Sequence, residues 1–483
     1  MKNYVIDGSR AFASNKGVFQ GWGSSLCWWA HRVGYDDTVA EIAAKAFCDP
    51  EAGLGINVLR YNIGGGDDPA HEHIMRTDSA IPGFWKDPKK DPETGAWTWD
   101  YDWEQDRNQV NTLRKCLEAG QDMIVEGFSN SPPYFMTVSG CTSGADPGTA
   151  DNLREDAVDD FAAYMADVTE HFDKVFGIRF QSVEPMNEPH GDWEYLSPKQ
   201  EGCHIGAEKL GSAILVAMRK ALDKRGLQDI PVAGTDEPGV EVMLESLKLL
   251  SPEAIDAIAR VDTHTYHGDC REELRDLILA KGKDIWMSEV DGGEVLGEGS
   301  GEMGPALWLA KRICDDMNGL NPSAWVLWQL IDQHISSEGM NGRRDMGMVD
   351  RVRGYWGTAV MDHDKKELLL TMKYYALGQF SRYLRPGCRP IPAEGDFVAA
   401  VTPDGKELVI TAVNTEGTEV PAAFEFRNLS VKAGAEAQVI RTSGSIENGE
   451  HWKAIAPLTT RENGLDAVLQ PFSVTTFFLP LAE

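Results

Sequence analysis

A (β/α)8 barrel with an appended β-sandwich is the fold class that the sequence predicts, and three observations predict it. Eight short apolar runs alternate with amphipathic stretches between residues 18 and 385, the rhythm of repeated strand–helix units. That rhythm stops at Pro386-Gly387, a pair that ends a helix. Residues 386–483 then carry alternating runs and hairpin signals, too short for a second barrel and suited to a sandwich.

In chain order the runs are GWGSSLCWW, INVLRYNIG, DMIVEGFS, RFQSVEPMNEP, IPVAGTDEPG, VDTHTYHG, DIWMSEVDGG and SAWVLWQLI. Stretches such as DAVDDFAAYMADVTEHFDKVFG and GAEKLGSAILVAMRKALDKRG separate them. The second places Leu210, Ile214, Ala217, Met218 and Leu222 at close to helical period, as a helix lying on a barrel requires. The last repeat ends in KYYALGQFSRYLRPG. In the tail, DFVAAVTPDGKELVITAVNT reads as two strands around Pro403-Asp404-Gly405, and VTTFFLPL reads as a further strand. The opening NYVIDGS has strand composition, so part of residues 1–17 is expected to join the sandwich.

The chain has 483 residues, 42% hydrophobic and 25% charged, with a net charge of −30. Such a field repels nucleic acid and anionic membranes, so neither is an expected partner. No segment of about 18 apolar residues suggests a membrane span. The opening MKNYVIDGSRAFA lacks the apolar region of a leader, so the reading is a cytoplasmic chain, or a secreted one if a leader has been removed. Eight cysteines without CxxC pairs read as buried thiols rather than a zinc site or a disulfide framework.

Barrel chemistry sits at the C-terminal ends of the strands, so the last residues of each run are the candidates. The first run ends at Trp28 and Trp29. The second offers Arg60 and Asn62, the third Glu126, Ser129 and Asn130, and the fourth Asn187 and Glu188. The fifth offers Asp236 and Glu237, the sixth His264, Tyr266 and His267, the seventh Glu289, and the eighth Trp328 and Gln329. There is no serine elbow, no GxGxxG and no P-loop lysine. Two carboxylates facing each other across a polar, aromatic cleft suit glycoside hydrolysis. Runs four and seven are three apart in a ring of eight, which sets Glu188 opposite Glu289; if Glu289 is the nucleophile, their expected separation is the about 5–5.5 Å of a retaining mechanism. Glu126 and Glu237 compete for these roles, and Glu184, earlier on its run, is expected inside the barrel. From the residues alone each remains equally an ion-paired strand end.

Tryptophan supplies the sugar-stacking surface that such a cleft needs. By strand alternation one of Trp28 and Trp29 faces the cleft and the other the helical layer; Trp29 is the expected cleft residue. Trp85, Trp97, Trp99 and Trp103, after the second run, form either further sugar subsites or a packed loop cluster. Three weaker signals have plainer readings. NIGGGDD (62–68) lacks the lysine of a phosphate cradle and reads as a tight loop. HEH (71–73) lacks HExxH spacing and reads as a solvated loop. EDAVDD (155–160) reads as the acidic start of a helix.

NEP at 187–189 and SEV at 288–290 resemble the acid/base and nucleophile motifs of clan A retaining glycosidases. The ending YYALGQFSRYLRPG, followed by a sandwich, resembles glycoside hydrolase family 30. Within it, GWGSSLCWWA is similar to the opening of the subfamily that holds β-1,6-galactanases, whereas the glucosylceramidase-like branch opens with a GFG-type segment. The resemblance covers essentially the whole chain. It implies that Glu188 is the acid/base and Glu289 the nucleophile. Asn187 would bind the sugar 2-hydroxyl, Tyr266 would hydrogen-bond Glu289, Arg60 would lower the pKa of Glu289, and Trp328 would floor the site. Trp29, Asn62, Asn130 and His264 complete the expected substrate contacts. The implied activity is cleavage of β-1,6-galacto-oligosaccharides or arabinogalactan side chains, endo-acting or galactobiose-releasing, with no metal or organic cofactor. The alternatives are a β-glucosidase, β-xylosidase, β-fucosidase or glucuronoxylanase of the same family, or a non-catalytic carbohydrate-binding barrel.

Overall fold

In a computed structural model of the chain, residues 2–66, 77–196, 200–340, 345 and 347–482 are described. Eight parallel strands close into a barrel: β1 (Gly21–Ser25), β2 (Val58–Asn62), β3 (Ile124–Phe128), β4 (Ser182–Glu184), β5 (Val232–Gly239), β6 (Ile258–His267), β7 (Asp284–Val290) and β8 (Ala324–Leu327). They pair in chain order and β8 closes onto β1. All five residues of β1 are buried. Gly23 is needed there because a Cβ would lie 2.8 Å from the Val58 carbonyl oxygen, a separation that side chains do not tolerate.

The amphipathic stretches form helices on the outside. Ser212–Lys224 buries Ile214, Leu215, Ala217, Met218 and Leu222 against the barrel. The helix Asp37–Cys48 is capped by Asp36, whose carboxylate accepts from the Thr38 and Val39 amides at 2.9 and 3.1 Å. Glu155–Ala157 is a 3-10 turn leading into the helix Val158–His171, so the run at 155–160 is a helix start. The motif at 71–73 and the last two residues of 62–68 lie outside the described residues.

The tail and the N-terminus build two stacked sheets. Lys2–Asp7 pairs in parallel with Val420–Arg427, which pairs antiparallel with Gly464–Leu469. Six strands, including the hairpin Phe397–Val401/Glu407–Asn414, make the other sheet. Ile6, Phe424 and Leu465 from the first sheet share one apolar core with Ile410, Phe477 and Leu479 from the second. Two further elements sit on the barrel: the hairpin Trp85–Lys90/Trp97–Tyr101 and a three-stranded sheet of Ile331–Ile335, Ala359–Asp362 and Glu367–Leu370. In the hairpin region Trp85, Trp97 and Trp99 pack on Phe135, and Trp103 stacks on His171 at 3.6 Å; this is a packed loop cluster. Among the described residues no helix is long and apolar enough to cross a membrane.

The first run departs from its expected course. The strand ends at Ser25, and Trp29 opens a short helix, Trp29–Val33. Alternation therefore does not extend to the tryptophan pair. Trp29 is fully buried, its indole N–H donating to the Ser25 carbonyl at 2.9 Å and its ring meeting Phe47 edge-on. It is a core residue, not a cleft residue. Trp28 is the one that reaches the barrel mouth, where it meets Trp328 edge-to-face at 5.1 Å.

Candidate active site

Glu188 follows β4 and Glu289 lies on β7, on opposite sides of the ring. One oxygen of each carboxylate and one nitrogen of His264 lie within 4.8 Å of one another. The backbone at Glu188 is left-handed, with φ +44°, a conformation that costs a non-glycine residue roughly 1–3 kcal/mol. Three hydrogen bonds over-determine it. The Glu188 amide donates to the Asp236 carbonyl at 2.8 Å, while the Gly191 amide and the Trp193 indole donate to the Glu188 carbonyl at 2.8 and 3.0 Å. The result fixes the carboxylate over the barrel.

Beneath it lies a charged barrel interior. Arg60 donates to Glu126 at 3.1 Å, to Glu289 at 3.2 Å and to Asp236, and its guanidinium sits 4.1 Å from the Phe128 ring centre. Arg260 pairs with Asp262 and Glu126 and stacks on Trp286 at 3.5 Å. The ring of His264 stands between three carboxylates: Nδ1 lies 3.2 Å from Glu188 and 3.5 Å from Glu289, and Nε2 lies 3.1 Å from Asp236. The Tyr266 hydroxyl donates to Glu289 at 3.0 Å. Asp262, His264 and Tyr266 alternate along β6, so all three point inward.

Burial and charge act against each other here. Burial pushes Glu289 up to about 7, although His264 and Arg60 pull it down; Glu188 and Asp236 add to the rise. Burial also opposes a charged His264, but Glu289 and Asp236 outweigh it and hold the imidazole well above its ordinary value. Asp236 would be raised by burial, yet Arg60 and His264 keep it below the usual carboxylate range. Burial raises Glu184 far above that range, with Asp236 and Asp262 adding to the effect, and pushes Asp262 up to about 7. The two oxygens of Glu184 have no hydrogen-bond partner among the described residues. A charged His264 carries N–H on both nitrogens and has no lone pair for a metal.

Several expected sugar contacts are placed elsewhere. Arg60, Asn62, His264 and Trp29 are fully buried, leaving no surface for a sugar. Arg60 and His264 instead grip the carboxylates. The influence of Arg60 on Glu289 has the expected sign, but burial exceeds it, so the net shift is upward rather than downward. Asn62 donates to Glu201 at 3.3 Å and accepts from the Asn130 amide at 3.4 Å. Asn130 and Asn187 each keep a side-chain oxygen without a partner among the described residues. Tyr266 touches Glu289, Asn187 directly precedes Glu188, and Trp328 is held beside the end of β7 by its amide, which donates to the Val290 carbonyl at 3.0 Å. Glu237 is occupied by His190 at 2.6 Å and Ser246 at 2.6 Å, and Glu126 by Arg60 and Arg260; both are ion-paired strand ends. Asp236 and Trp28, both run-end candidates, belong to the site as well. So does Asp262, which the sequence reading passed over and which the alternation of VDTHTYH could have revealed.

The family model described as O-glycosyl hydrolase family 30 matches residues 9–235, which include Glu188. An endo-beta-1,6-galactanase from Hypocrea rufa is 27% identical over 482 residues, covering 96% of this chain and 92% of its own. Residues 9–235 thus match glycoside hydrolase family 30. A second likeness is to an exo-beta-1,6-galactobiohydrolase from Bifidobacterium longum, 27% identical over 72% of this chain; the match spans 28% of that longer protein. The catalytic domain of xylanase C from Talaromyces cellulolyticus superposes with a TM-score of 0.73, covering 99% of this chain and 100% of its own at 16% identity, and shares the family 30 fold.

Proposed function

We propose that this family 30 enzyme is a retaining hydrolase of β-1,6-linked galactan. The observation that carries the proposal is the approach of Glu188 and Glu289 to within 4.8 Å, with Tyr266 and Arg60 bonded to Glu289 and not to Glu188. This closeness leaves no room for a water between carboxylate and sugar and favours direct attack. The two galactan-cleaving relatives named above supply the substrate class.

In the first step a Glu289 oxygen attacks the anomeric carbon. The bond to the exocyclic oxygen breaks, and that oxygen takes the proton of Glu188. In the second step Glu188 removes a proton from water, whose oxygen attacks the same carbon and releases Glu289. The two inversions return the β-anomer. Tyr266 and Arg60 orient Glu289 by donating to separate oxygens. His264 tethers both carboxylates at one ring nitrogen, which keeps their spacing through the two steps.

Glu289→Ala should abolish turnover of a nitrophenyl β-galactoside, and added azide should restore it with α-galactosyl azide as product. Proton NMR of the wild-type reaction should show the β-anomer first, and β-1,6-galactan should be cleaved much faster than β-1,3- or β-1,4-galactan. An α-anomer released first would remove the retaining mechanism; equal rates on the three galactans would remove the substrate class alone.

A further inference from the structure

Two residues past Glu289, Asp291 forms a fully buried ion pair with Lys373, from the first turn of the helix Met372–Ser381; Nζ lies 2.5 Å from its Oδ1. Lys373 also donates to the Tyr355 carbonyl at 3.0 Å and the Gly292 carbonyl at 3.3 Å. The second oxygen of Asp291 accepts the Gly357 amide at 2.7 Å. The pair thus holds the chain on both sides of residue 356. Two residues before it, Gly354 lies directly on the Gly293 backbone, where a Cβ would overlap the Gly293 carbonyl.

Between these three fixings stands Trp356, 37% exposed. Its ring centre is 5.9 Å from that of Tyr266, tilted by 31°, and Tyr266 is the donor to Glu289. A buried ion pair contributes little net stability compared with apolar packing but constrains geometry. Here it constrains a loop whose one solvent-facing aromatic side chain stands a single ring away from the reacting carboxylate.

We propose that Trp356 is a substrate-binding residue that stacks on a galactopyranose ring beside the cleaved bond, and that the Asp291–Lys373 pair positions it; this rests on the galactanase reading above. A galactopyranose has an axial 4-hydroxyl, which gathers the C–H bonds of C3, C4 and C5 on one face. An indole offers a rigid apolar plane for that face at low entropic cost. A 1,6-linkage adds a rotatable methylene between sugars, so a fixed plane next to the reacting ring orients a chain that does not orient itself.

The test uses full-length Glu188→Gln, which cannot protonate an unactivated leaving group, so β-1,6-galactotriose stays intact during calorimetric titration. Adding Trp356→Ala should weaken binding about 10- to 100-fold, the effect of one lost aromatic contact. Trp356→Phe should recover most of it while removing part of the fluorescence change on saturation. Equal affinity with and without Trp356 would overturn the proposal. If Glu188→Gln binds no galactotriose, the substrate reading fails first. The titration is then made with whichever oligosaccharide the wild-type enzyme hydrolyses, and unchanged affinity in Trp356→Ala overturns the stacking role there too.

Discussion

Replacing His264 by Asn tests whether a buried imidazolium sets the acid limb of the reaction. Asn places a neutral N–H near the position of Nδ1 but removes the charge. That charge stands 3.5 Å from Glu289. At an effective dielectric constant of about 20, two unit charges at this separation attract by about 5 kcal/mol, an upper bound of roughly 3.5 pH units on Glu289. His264 divides its field among Glu289, Glu188 and Asp236, all within 3.5 Å, so a rise of about 1–2 units is expected. The sign follows from the mechanism: Glu289 attacks only when ionised, and losing a nearby cation makes ionisation harder. The acid limb of kcat/KM, measured on a nitrophenyl β-galactoside with folding checked by circular dichroism, should move to higher pH. An acid limb that stays in place or moves down in a folded variant would refute the imidazolium.

Two other substitutions have equally definite outcomes. Trp29→Ala should cost about 3–5 kcal/mol of stability, as large core truncations do, while kcat/KM per folded molecule stays within a few-fold; an unchanged Tm with lost activity would return Trp29 to the cleft. Glu184 is held protonated by burial, with its folded pKa far above its unfolded value, so the native protein retains a proton that the unfolded chain releases. Its contribution to stability therefore falls as pH rises above the unfolded carboxylate value. Glu184→Gln should gain stability relative to wild type between pH 4 and pH 8, and thermal melts that show the opposite trend would assign Glu184 as a carboxylate.

The legible parts of the site were those written in short periodic segments. Glu188 and Glu289 end strand patterns of opposite barrel positions, but so placed they share candidacy with Glu126 and Glu237, and it is the NEP and SEV motifs that single out the pair. The alternation of VDTHTYH carried Tyr266 inward by the same rule that carried His264 and Asp262. The rule failed at Trp28 and Trp29 because the chain leaves the strand at Ser25, and helical geometry then decides which indole faces the mouth. Lys373 was illegible for a related reason: in KYYALGQF it has the look of a polar helix face, yet the loop 352–357 folds over it and buries it completely. The sheet built from 331–335, 359–362 and 367–370 joins segments whose pairing is long-range, and no local period announces such a contact.

The charges inside the barrel bind its fold to its chemistry. Arg60, Arg260 and His264 face the buried carboxylates of Glu126, Glu184, Asp236, Asp262 and Glu289, with Glu188 partly exposed above them, so three cations meet five buried carboxylates. Such an excess of buried negative charge is costly unless some of it is neutralised by protons. The protons settle by position. Glu184, with no hydrogen-bond donor among the described residues, keeps its proton. Asp236, gripped by Arg60, His264 and Ser288, loses its own. Glu289 lies between these extremes, buried like Glu184 but touched by Arg60, His264 and Tyr266. A nucleophile must surrender its negative charge to carbon and later regain it, and a site poised between the two states serves both steps. Replacing a deep carboxylate such as Glu184 by a neutral amide should therefore leave the acid limb nearly in place, whereas removing a cation should move it.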